Sequence, residues 1–172
     1  MKLLAHLWLP AAPASVFPFF AEAENLQAIT PGWLDFSIVG ARPVPIRQGT
    51  VIDYRLRLHG VPLSWQSEIT VWEPPHRFRD EQRRGPYRRW AHTHTFEACA
   101  GGTLCRDEVD YIVPGGDWIE RWFVRHDLRR IFEHRQRALL AHFAPRGDAT
   151  LPPPAGRTWS VTFAAAGPKG AV

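Results

Sequence analysis

The alternation of hydrophobic and polar residues is most regular between residues 88 and 113, where it predicts a β-hairpin. Every second side chain of a strand lies on the same face of the sheet. One face of the first arm therefore carries four rings, those of Trp90, His92, His94 and Phe96. A two-residue turn predicted at Gly101-Gly102 puts four residues of the second arm on that face: Cys105, Asp107, Val109 and Tyr111. Neither an aliphatic core face nor a solvent face combines such rings with a carboxylate, so we expect this face to line a ligand cavity.

Similar alternation predicts further strands at residues 2–9, 33–39, 50–59, 63–72 and 76–82. Two short helices are predicted after the first strand, at residues 14–20 and 23–29. Apolar residues at helical spacing predict one long helix over residues 118–143, with Trp118 and Trp122 in its apolar stripe. Because an antiparallel sheet with one apolar face needs a cover, the order predicts an α+β fold, in which a curved antiparallel sheet of about seven strands surrounds a long C-terminal helix.

A chain of 172 residues is long enough for one domain with a substantial core, and we place that domain at residues 1–144. Residues 145–172 are rich in Pro, Gly and Ala and show little periodicity, which predicts a mobile tail. Within this tail, Trp159, Val161 and Phe163 alternate with polar residues. The alternative is therefore that this part of the tail docks on the domain as an extra extended segment.

Composition is ordinary for a soluble globular chain, with 45% hydrophobic and 22% charged residues. No apolar run approaches the ~20 residues that a membrane helix needs, so we expect no membrane span. The two cysteines, Cys99 and Cys105, are too few for a disulfide framework or a structural zinc site, and they fall on opposite faces of the predicted hairpin. These features predict a cytoplasmic protein.

The net charge of +4 comes from an excess of arginine, and arginines are clustered between residues 77 and 89. Such a cluster could bind anions or nucleic acid. However, Asp80 and Glu81 interrupt it, and no nucleic-acid-binding motif accompanies it. We therefore interpret the cluster as a solvated sheet edge, where charges also oppose unwanted strand pairing, and we expect no nucleic-acid partner.

Several short sequence features follow one another in a fairly specific order: Ala-Pro-Ala-Ser-Val-Phe at 12–17, Gly60-Val61-Pro62 with Trp65, Gly85-Pro86-Tyr87 before the histidine arm, and Ile131-Phe132 with Arg135. In this order, residues 1–143 resemble the START-like, helix-grip superfamily, also called SRPBCC. That superfamily includes the birch-pollen allergen and the polyketide cyclase/dehydrase-like proteins, and the chain is most similar to its small stand-alone bacterial branch. The resemblance implies a cavity for an apolar or aromatic molecule between the sheet and the C-terminal helix. It does not imply one reaction, since the superfamily hosts carriers, receptors and enzymes on one scaffold.

His92 and His94 are two residues apart on one strand, which separates their Cα atoms by about 6.5–7 Å. Both can therefore reach one cavity, together with Asp107 from the paired strand. Three interpretations stay open: general acid–base groups, a metal site of two histidines and a carboxylate, or hydrogen-bonded polar anchors of an apolar pocket. We favour the polar anchors, and we predict neither a metal nor another cofactor.

We expect the cavity to bind a small hydrophobic or aromatic molecule, lipid-like or polyketide-like, which is the partner that the sequence predicts. The expected ligand-binding residues are Tyr54, Trp65, Trp90, His92, His94, Phe96, Tyr111 and Trp122. The alternative is a polyketide cyclase or dehydratase that uses His92, His94 and Asp107 as catalytic residues. Because the sequence contains no complete catalytic motif, the choice between binding protein and enzyme stays open, as does the oligomeric state.

Overall fold

The computed structural model describes residues 1–40, 43–144 and 159–165, which contain one antiparallel sheet, two short helices and a long C-terminal helix. The strands are β1 (Lys2–Leu9), β2 (Ser37–Val39), β3 (Val51–Leu58), β4 (Val61–Glu73), β5 (Arg77–Arg84), β6 (Arg89–Cys99), β7 (Gly102–Ile112) and β8 (Trp159–Ala164). Their order across the 8-stranded sheet is β2-β3-β4-β5-β6-β7-β1-β8, and neighbouring strands are antiparallel. The predicted α+β architecture is confirmed, with one strand more than expected.

Two short helices, α1 (Pro13–Phe20) and α2 (Glu24–Ala28), follow β1 as predicted. Pro13 occupies the first turn of α1, where its missing N–H costs no hydrogen bond. A single 3₁₀ turn at Gly32–Leu34 then leads towards β2, which is shorter than expected because this turn takes up the start of the predicted strand.

The C-terminal helix is continuous over residues 117–142. It consists of α3 (Asp117–Ile119), a π-helical segment (Glu120–Val124) and α4 (Arg125–His142). Its last part packs against β1 and β8. None of the helices in the described part of the chain is long and apolar enough to cross a membrane.

The first turns of the C-terminal helix differ from the predicted pattern. Trp118 and Trp122 were expected on the apolar stripe, but their exposed fractions are 65% and 66%. Ile119 and Val124 line the interior instead, and they are five residues apart. This spacing is that of a π-helix, whose hydrogen bonds join residues i and i+5. The π-helical segment therefore shifts the helix phase and turns the tryptophans outward.

Strand β8 lies in the segment that we expected to be a mobile tail. It pairs with β1, with Leu3 opposite Phe163 and Leu7 opposite Trp159. Gln136 of α4 donates hydrogen bonds from Nε2 to backbone oxygens of both strands. The structure of Trp159–Ala164 therefore agrees with the alternative prediction, that this segment is extended and docks on the domain. The rest of the predicted tail, residue 165 aside, lies outside the described residues, and the domain boundary at residue 144 stays a prediction.

The β6–β7 hairpin keeps its predicted face but changes its register. Its turn is Ala100-Gly101, with φ angles of 50° and 77°, and Cys99 pairs with Gly102. Gly102 is already part of β7, where a Cβ atom would lie 2.2 Å from the backbone oxygen of Leu9. The predicted turn at Gly101-Gly102 is wrong, because Gly102 serves close packing rather than chain reversal. The correction moves each pairing by two residues, so the same side chains still share one face.

Helix α1 is anchored to the sheet by an aromatic cluster. The ring of Phe17 is buried against Trp72 of β4, Phe78 of β5 and Phe96 of β6, with centroid distances of 5.0, 6.2 and 5.4 Å. Offset and edge-to-face pairs of this kind add to the stabilisation from burial. One side chain of α1 thus holds three neighbouring strands together.

We expect Phe17→Ala to lower the free energy of unfolding by about 3–5 kcal/mol, because it leaves a cavity among three aromatic side chains. Trp122→Ala removes a larger but exposed ring and should change this free energy by no more than about 0.5 kcal/mol. Urea unfolding followed by circular dichroism measures both values. Equal losses in the two variants would contradict the packing described here.

Candidate functional site

A cavity of about 370 Å³ lies between the sheet and the C-terminal helix, within the size range of small-molecule sites. Residues of β3, β4, β5 and β6 form its sheet side, and residues of α2 and the C-terminal helix form the other side. Most of the lining is apolar, as at Leu26, Ile52, Leu128 and Phe132. The carboxylate and imidazole groups of the sheet side come from two neighbouring strands, β5 and β6.

An aromatic wall covers part of the sheet side. Tyr54 stacks on Trp65, with ring centroids 5.7 Å apart, and Trp90 meets Trp65 edge to face at 5.3 Å. The Trp65 Nε1–H donates a hydrogen bond to Ser67 Oγ at 3.0 Å, and the Tyr54 hydroxyl lies 3.2 Å from the same oxygen. Because their polar atoms share this partner, the two rings can present apolar faces to the cavity.

Four side chains form a compact polar cluster, which we call the His–Asp cluster: Asp80, His92, His94 and Asp107. The two imidazole rings are in contact, with centroids 3.7 Å apart. Asp107 Oδ1 lies 2.8 Å from Nε2 of His92 and 2.8 Å from Nδ1 of His94. On the other side, Asp80 Oδ2 lies 3.3 Å from Nε2 of His94 and 3.6 Å from Nδ1 of His92. Each ring therefore has one carboxylate at each of its nitrogens.

Strand pairing explains how the cluster forms. In the β5–β6 ladder, His92 lies opposite Asp80, and in the β6–β7 ladder His94 lies opposite Asp107. Cross-strand neighbours on one face are close enough for their side chains to interact. Asp80 was missed in the sequence analysis, although it follows the inward-facing Phe78 by two residues and alternation alone would have placed it on the same face.

Opposing effects set the proton affinities in the cluster. Burial raises the pKa of Asp107, but hydrogen bonds and positive charge from His92 and His94 outweigh it and hold that pKa well below its usual range. The pKa of Asp80 is lowered in the same way, although burial opposes the shift. Burial also lowers the pKa of both histidines. It prevails at His92, where the charge of His94 adds to it, whereas hydrogen bonds to both carboxylates prevail at His94 and raise its pKa.

An arginine of α4 lies beside the cluster. Arg135 lines the cavity, and its guanidinium lies over the ring of Phe132, 5.4 Å from the centroid. The ring of Phe132 in turn lies 5.6 Å from that of His92. This part of the cavity therefore combines a fixed positive charge with the imidazole pair.

The structure brings most of the predicted site residues to this cavity. Five of the expected ligand-binding residues line it: Tyr54, Trp65, Trp90, His92 and His94. Asp107 contacts both histidines from behind and lies outside the lining of the large cavity. The sequence analysis also did not select Tyr87, which lines the cavity and packs against Trp90 at 4.8 Å.

Three predicted ligand-binding residues lie elsewhere. Phe96 is on the expected face, but α1 covers that part of the sheet and buries the ring. Tyr111 is buried, and its hydroxyl donates a 2.6 Å hydrogen bond to Glu120. Trp122 points outward because of the π-helical segment. These three assignments are therefore corrected, since none of the three rings reaches the large cavity.

Sequence comparison agrees with this architecture. The family described as "Polyketide cyclase / dehydrase and lipid transport" matches residues 9–140 of the chain. The chain belongs to this family. Membership in the polyketide cyclase / dehydrase and lipid transport family confirms the resemblance to the START-like superfamily that the sequence features suggested. No curated protein matches the chain.

Solved structures share the fold at low sequence identity. Protein CV1439 from Chromobacterium violaceum superposes with a TM-score of 0.66 at 14% identity, over 84% of this chain and 97% of that protein. Protein Ms6760 from Mycobacterium smegmatis gives 0.62 at 16% identity, over 82% and 89%. Ginseng major latex-like protein 151 from Panax ginseng gives 0.62 at 13% identity, over 84% and 98%. These likenesses show that this member of the polyketide cyclase / dehydrase and lipid transport family has the helix-grip fold.

Ser67 supplies the oxygen that both Tyr54 and Trp65 use. We expect Ser67→Ala to lower the free energy of unfolding by about 1–3 kcal/mol, because it leaves a buried indole N–H and a hydroxyl without their partner. Ser64→Ala, on the exposed face of the same strand, is the matched control and should have little effect. Thermal and urea unfolding measure the difference, and equal effects of the two substitutions would argue against the shared hydrogen bonds.

Proposed function

We propose that this chain binds a small apolar or aromatic molecule, lipid-like or polyketide-like, in the cavity between the sheet and the C-terminal helix. The observation that carries the proposal is the lining of that cavity, where aliphatic and aromatic side chains enclose about 370 Å³ and a few polar groups are concentrated around His92 and His94. Ligand pockets typically combine an apolar lining with few polar groups that fix orientation. Membership in a family described by polyketide cyclases and lipid transport supports the same function.

The cavity chemistry also suggests how such a molecule is oriented. Its apolar or aromatic part would pack on Tyr54, Trp65 and Trp90, whose rings are held in place by one another and by Ser67. A polar or anionic end group would lie near Arg135, because its guanidinium can donate hydrogen bonds to a ligand oxygen. We therefore expect amphipathic molecules with one oxygen-bearing end to bind more tightly than pure hydrocarbons.

We take a small molecule rather than nucleic acid as the partner. Three arginines of the basic cluster lie within ion-pair distance of glutamates: Arg77 with Glu73 at 2.7 Å, Arg79 with Glu81 at 3.0 Å, and Arg83 with Glu68 at 2.6 Å. These contacts reduce the charge available to a polyanion. We also propose a cytoplasmic location, which the free thiols of Cys99 and Cys105 support.

Replacement of a cavity tryptophan tests the binding site. With anilinonaphthalene sulfonate as the probe, we expect Trp65→Ala to raise the dissociation constant by about tenfold or more, because a buried aromatic contact is lost. Trp122→Ala removes an exposed tryptophan and should leave the dissociation constant unchanged. Fluorescence titration measures both. Equal weakening by the two substitutions, or no saturable binding to the wild-type protein, would contradict the proposed cavity.

The second candidate function is that of a cyclase or dehydratase. The observation that favours it is the contact of two imidazoles with each other and with two carboxylates at the cavity wall. In this candidate His92 and His94 are the acid–base groups, and Asp107 holds both rings. A dehydration at such a site would transfer a carbon-bound proton to one neutral imidazole, and the electron pair of the broken C–H bond would form a C=C double bond. The other imidazole, protonated at the start, would donate its proton to the leaving hydroxyl, which departs as water.

Turnover and binding together separate the two candidates. If the chain is an enzyme, His92→Ala should abolish conversion of a polyketide-like substrate while the probe still binds, because the apolar wall is unchanged. Mass spectrometry of the reaction mixture detects loss of water or ring closure. Ligand-induced thermal stabilisation without any product, in both wild type and variant, would support the binding protein and exclude the enzyme for that substrate.

A further inference from the structure

We propose that Asp80, His92 and His94 form a binding site for one divalent transition-metal ion, and that Zn²⁺ fits it best. Each side chain offers one ligand atom, and the three atoms lie within 4.8 Å of one another. The proposal replaces our expectation from sequence that no metal binds. In the metal site considered from the sequence, the carboxylate ligand was Asp107, whereas in this proposal it is Asp80. It does not depend on the proposed apolar ligand.

The two separations between Asp80 and the histidine nitrogens are close to those around a tetrahedral ion. Asp80 Oδ2 lies 3.3 Å from His94 Nε2 and 3.6 Å from His92 Nδ1. Ligands bound at about 2.0–2.1 Å from Zn²⁺ in a tetrahedron are about 3.3–3.4 Å apart. An octahedral ion with bonds of about 2.1 Å would need neighbouring ligands only about 3.0 Å apart. These two distances are compatible with a four-coordinate ion, and the two imidazole ligands favour Zn²⁺ over Mg²⁺, which prefers oxygen ligands.

Asp107 has the position of an outer carboxylate that orients the metal-binding histidines. Its Oδ1 lies 2.8 Å from His92 Nε2 and 2.8 Å from His94 Nδ1. These are the two nitrogens that a metal held with Asp80 would leave unused. Histidine ligands almost always donate this second N–H to a carboxylate, carbonyl or water, which fixes the tautomer and the ring orientation. One carboxylate can therefore prepare both rings for the same ion.

The charges of the His–Asp cluster also suit a dication. Metal binding requires neutral imidazoles, and the two carboxylates beside these almost fully buried rings then carry two negative charges against the single positive charge of Arg135. Buried charges need a partner, and a divalent ion supplies two positive charges where the three ligand atoms converge. Within the described ranges, no second group of His, Cys, Asp and Glu shows comparable spacing.

Three protein ligands leave one position of a tetrahedral ion open. Structural zinc sites have four protein ligands, whereas sites with three leave the ion accessible to water or a substrate. Because Asp80, His92 and His94 all line the large cavity, the open position would face a bound molecule. It would accept an oxygen donor such as a carboxylate or a phenolate. In the metal-bound protein, the imidazole nitrogens are ligands, so the acid–base candidate applies only to the metal-free protein.

Metal binding is measured on the full chain after treatment with a chelator. Zn²⁺ is titrated in competition with a chromophoric chelator, and Co²⁺ serves as the spectroscopic probe. We expect one equivalent of Zn²⁺ and, with Co²⁺, the visible absorption of a four-coordinate ion with nitrogen and oxygen ligands. Absence of a stoichiometric site in the folded wild-type protein would overturn the proposal.

Substitutions distinguish ligands from the outer carboxylate. Asp80→Asn, His92→Ala and His94→Ala should each abolish the stoichiometric site, whereas Asp107→Asn should weaken Zn²⁺ binding by about 10–100-fold. His126→Ala removes an exposed histidine of α4 and is the matched control. Circular dichroism checks folding, and the near-isosteric Asp80→Asn decides the outcome if the histidine variants unfold. Unchanged affinity and an unchanged Co²⁺ spectrum in Asp80→Asn would overturn the proposal.

Probe binding to the chelator-treated protein separates this inference from the proposed function. If anilinonaphthalene sulfonate binds but Zn²⁺ does not, the metal site is wrong and the cavity proposal stands. If Zn²⁺ binds at one equivalent but the probe does not, the cavity proposal fails and the metal site stands.

Discussion

Strand β6 is hydrogen-bonded on both sides, and the His–Asp cluster depends on this double pairing. His92 lies opposite Asp80 of β5, and His94 lies opposite Asp107 of β7. The two carboxylates therefore reach the imidazole pair from different strands and from opposite sides. A slip of one residue in either ladder would turn one carboxylate to the other face of the sheet. The chemistry of the cavity thus depends on backbone register more than on any single side chain.

Alternation along a strand is a local property, and it was enough to predict which face of β6 and β7 carries the rings. It could also have revealed Asp80 from its spacing to Phe78. Alternation cannot predict that Asp80 of β5 lies opposite His92 of β6, because the register between two strands depends on turns and packing elsewhere. The turn residues of the hairpin were misassigned for a related reason, since the close approach of Leu9 to Gly102 involves a strand distant in sequence.

The long helix shows where a periodic pattern fails. A constant period of 3.6 residues assigned Trp122 to the inner face, but Trp122 lies within the π-helical segment, which changes the phase of the helix. The segment begins at the buried Glu120, which accepts a hydrogen bond from Tyr111 of β7, a residue outside the helix. Contacts between residues of different elements thus determine which side chains reach the cavity, and no pattern within the helix encodes them.

Because β8 pairs with it, β1 is an interior strand of the sheet and not an edge strand. With β8 in place, both sides of β1 are paired, whereas an unpaired β1 would present a row of free N–H and C=O groups. Such an edge can recruit a strand from another molecule. A recombinant product shortened at residue 144, where composition alone suggests a boundary, would bare that edge and also remove one hydrogen-bond acceptor of Gln136. Shortening the protein there would therefore replace the 6-residue edge strand β8 by the 8-residue β1, a longer template for self-association.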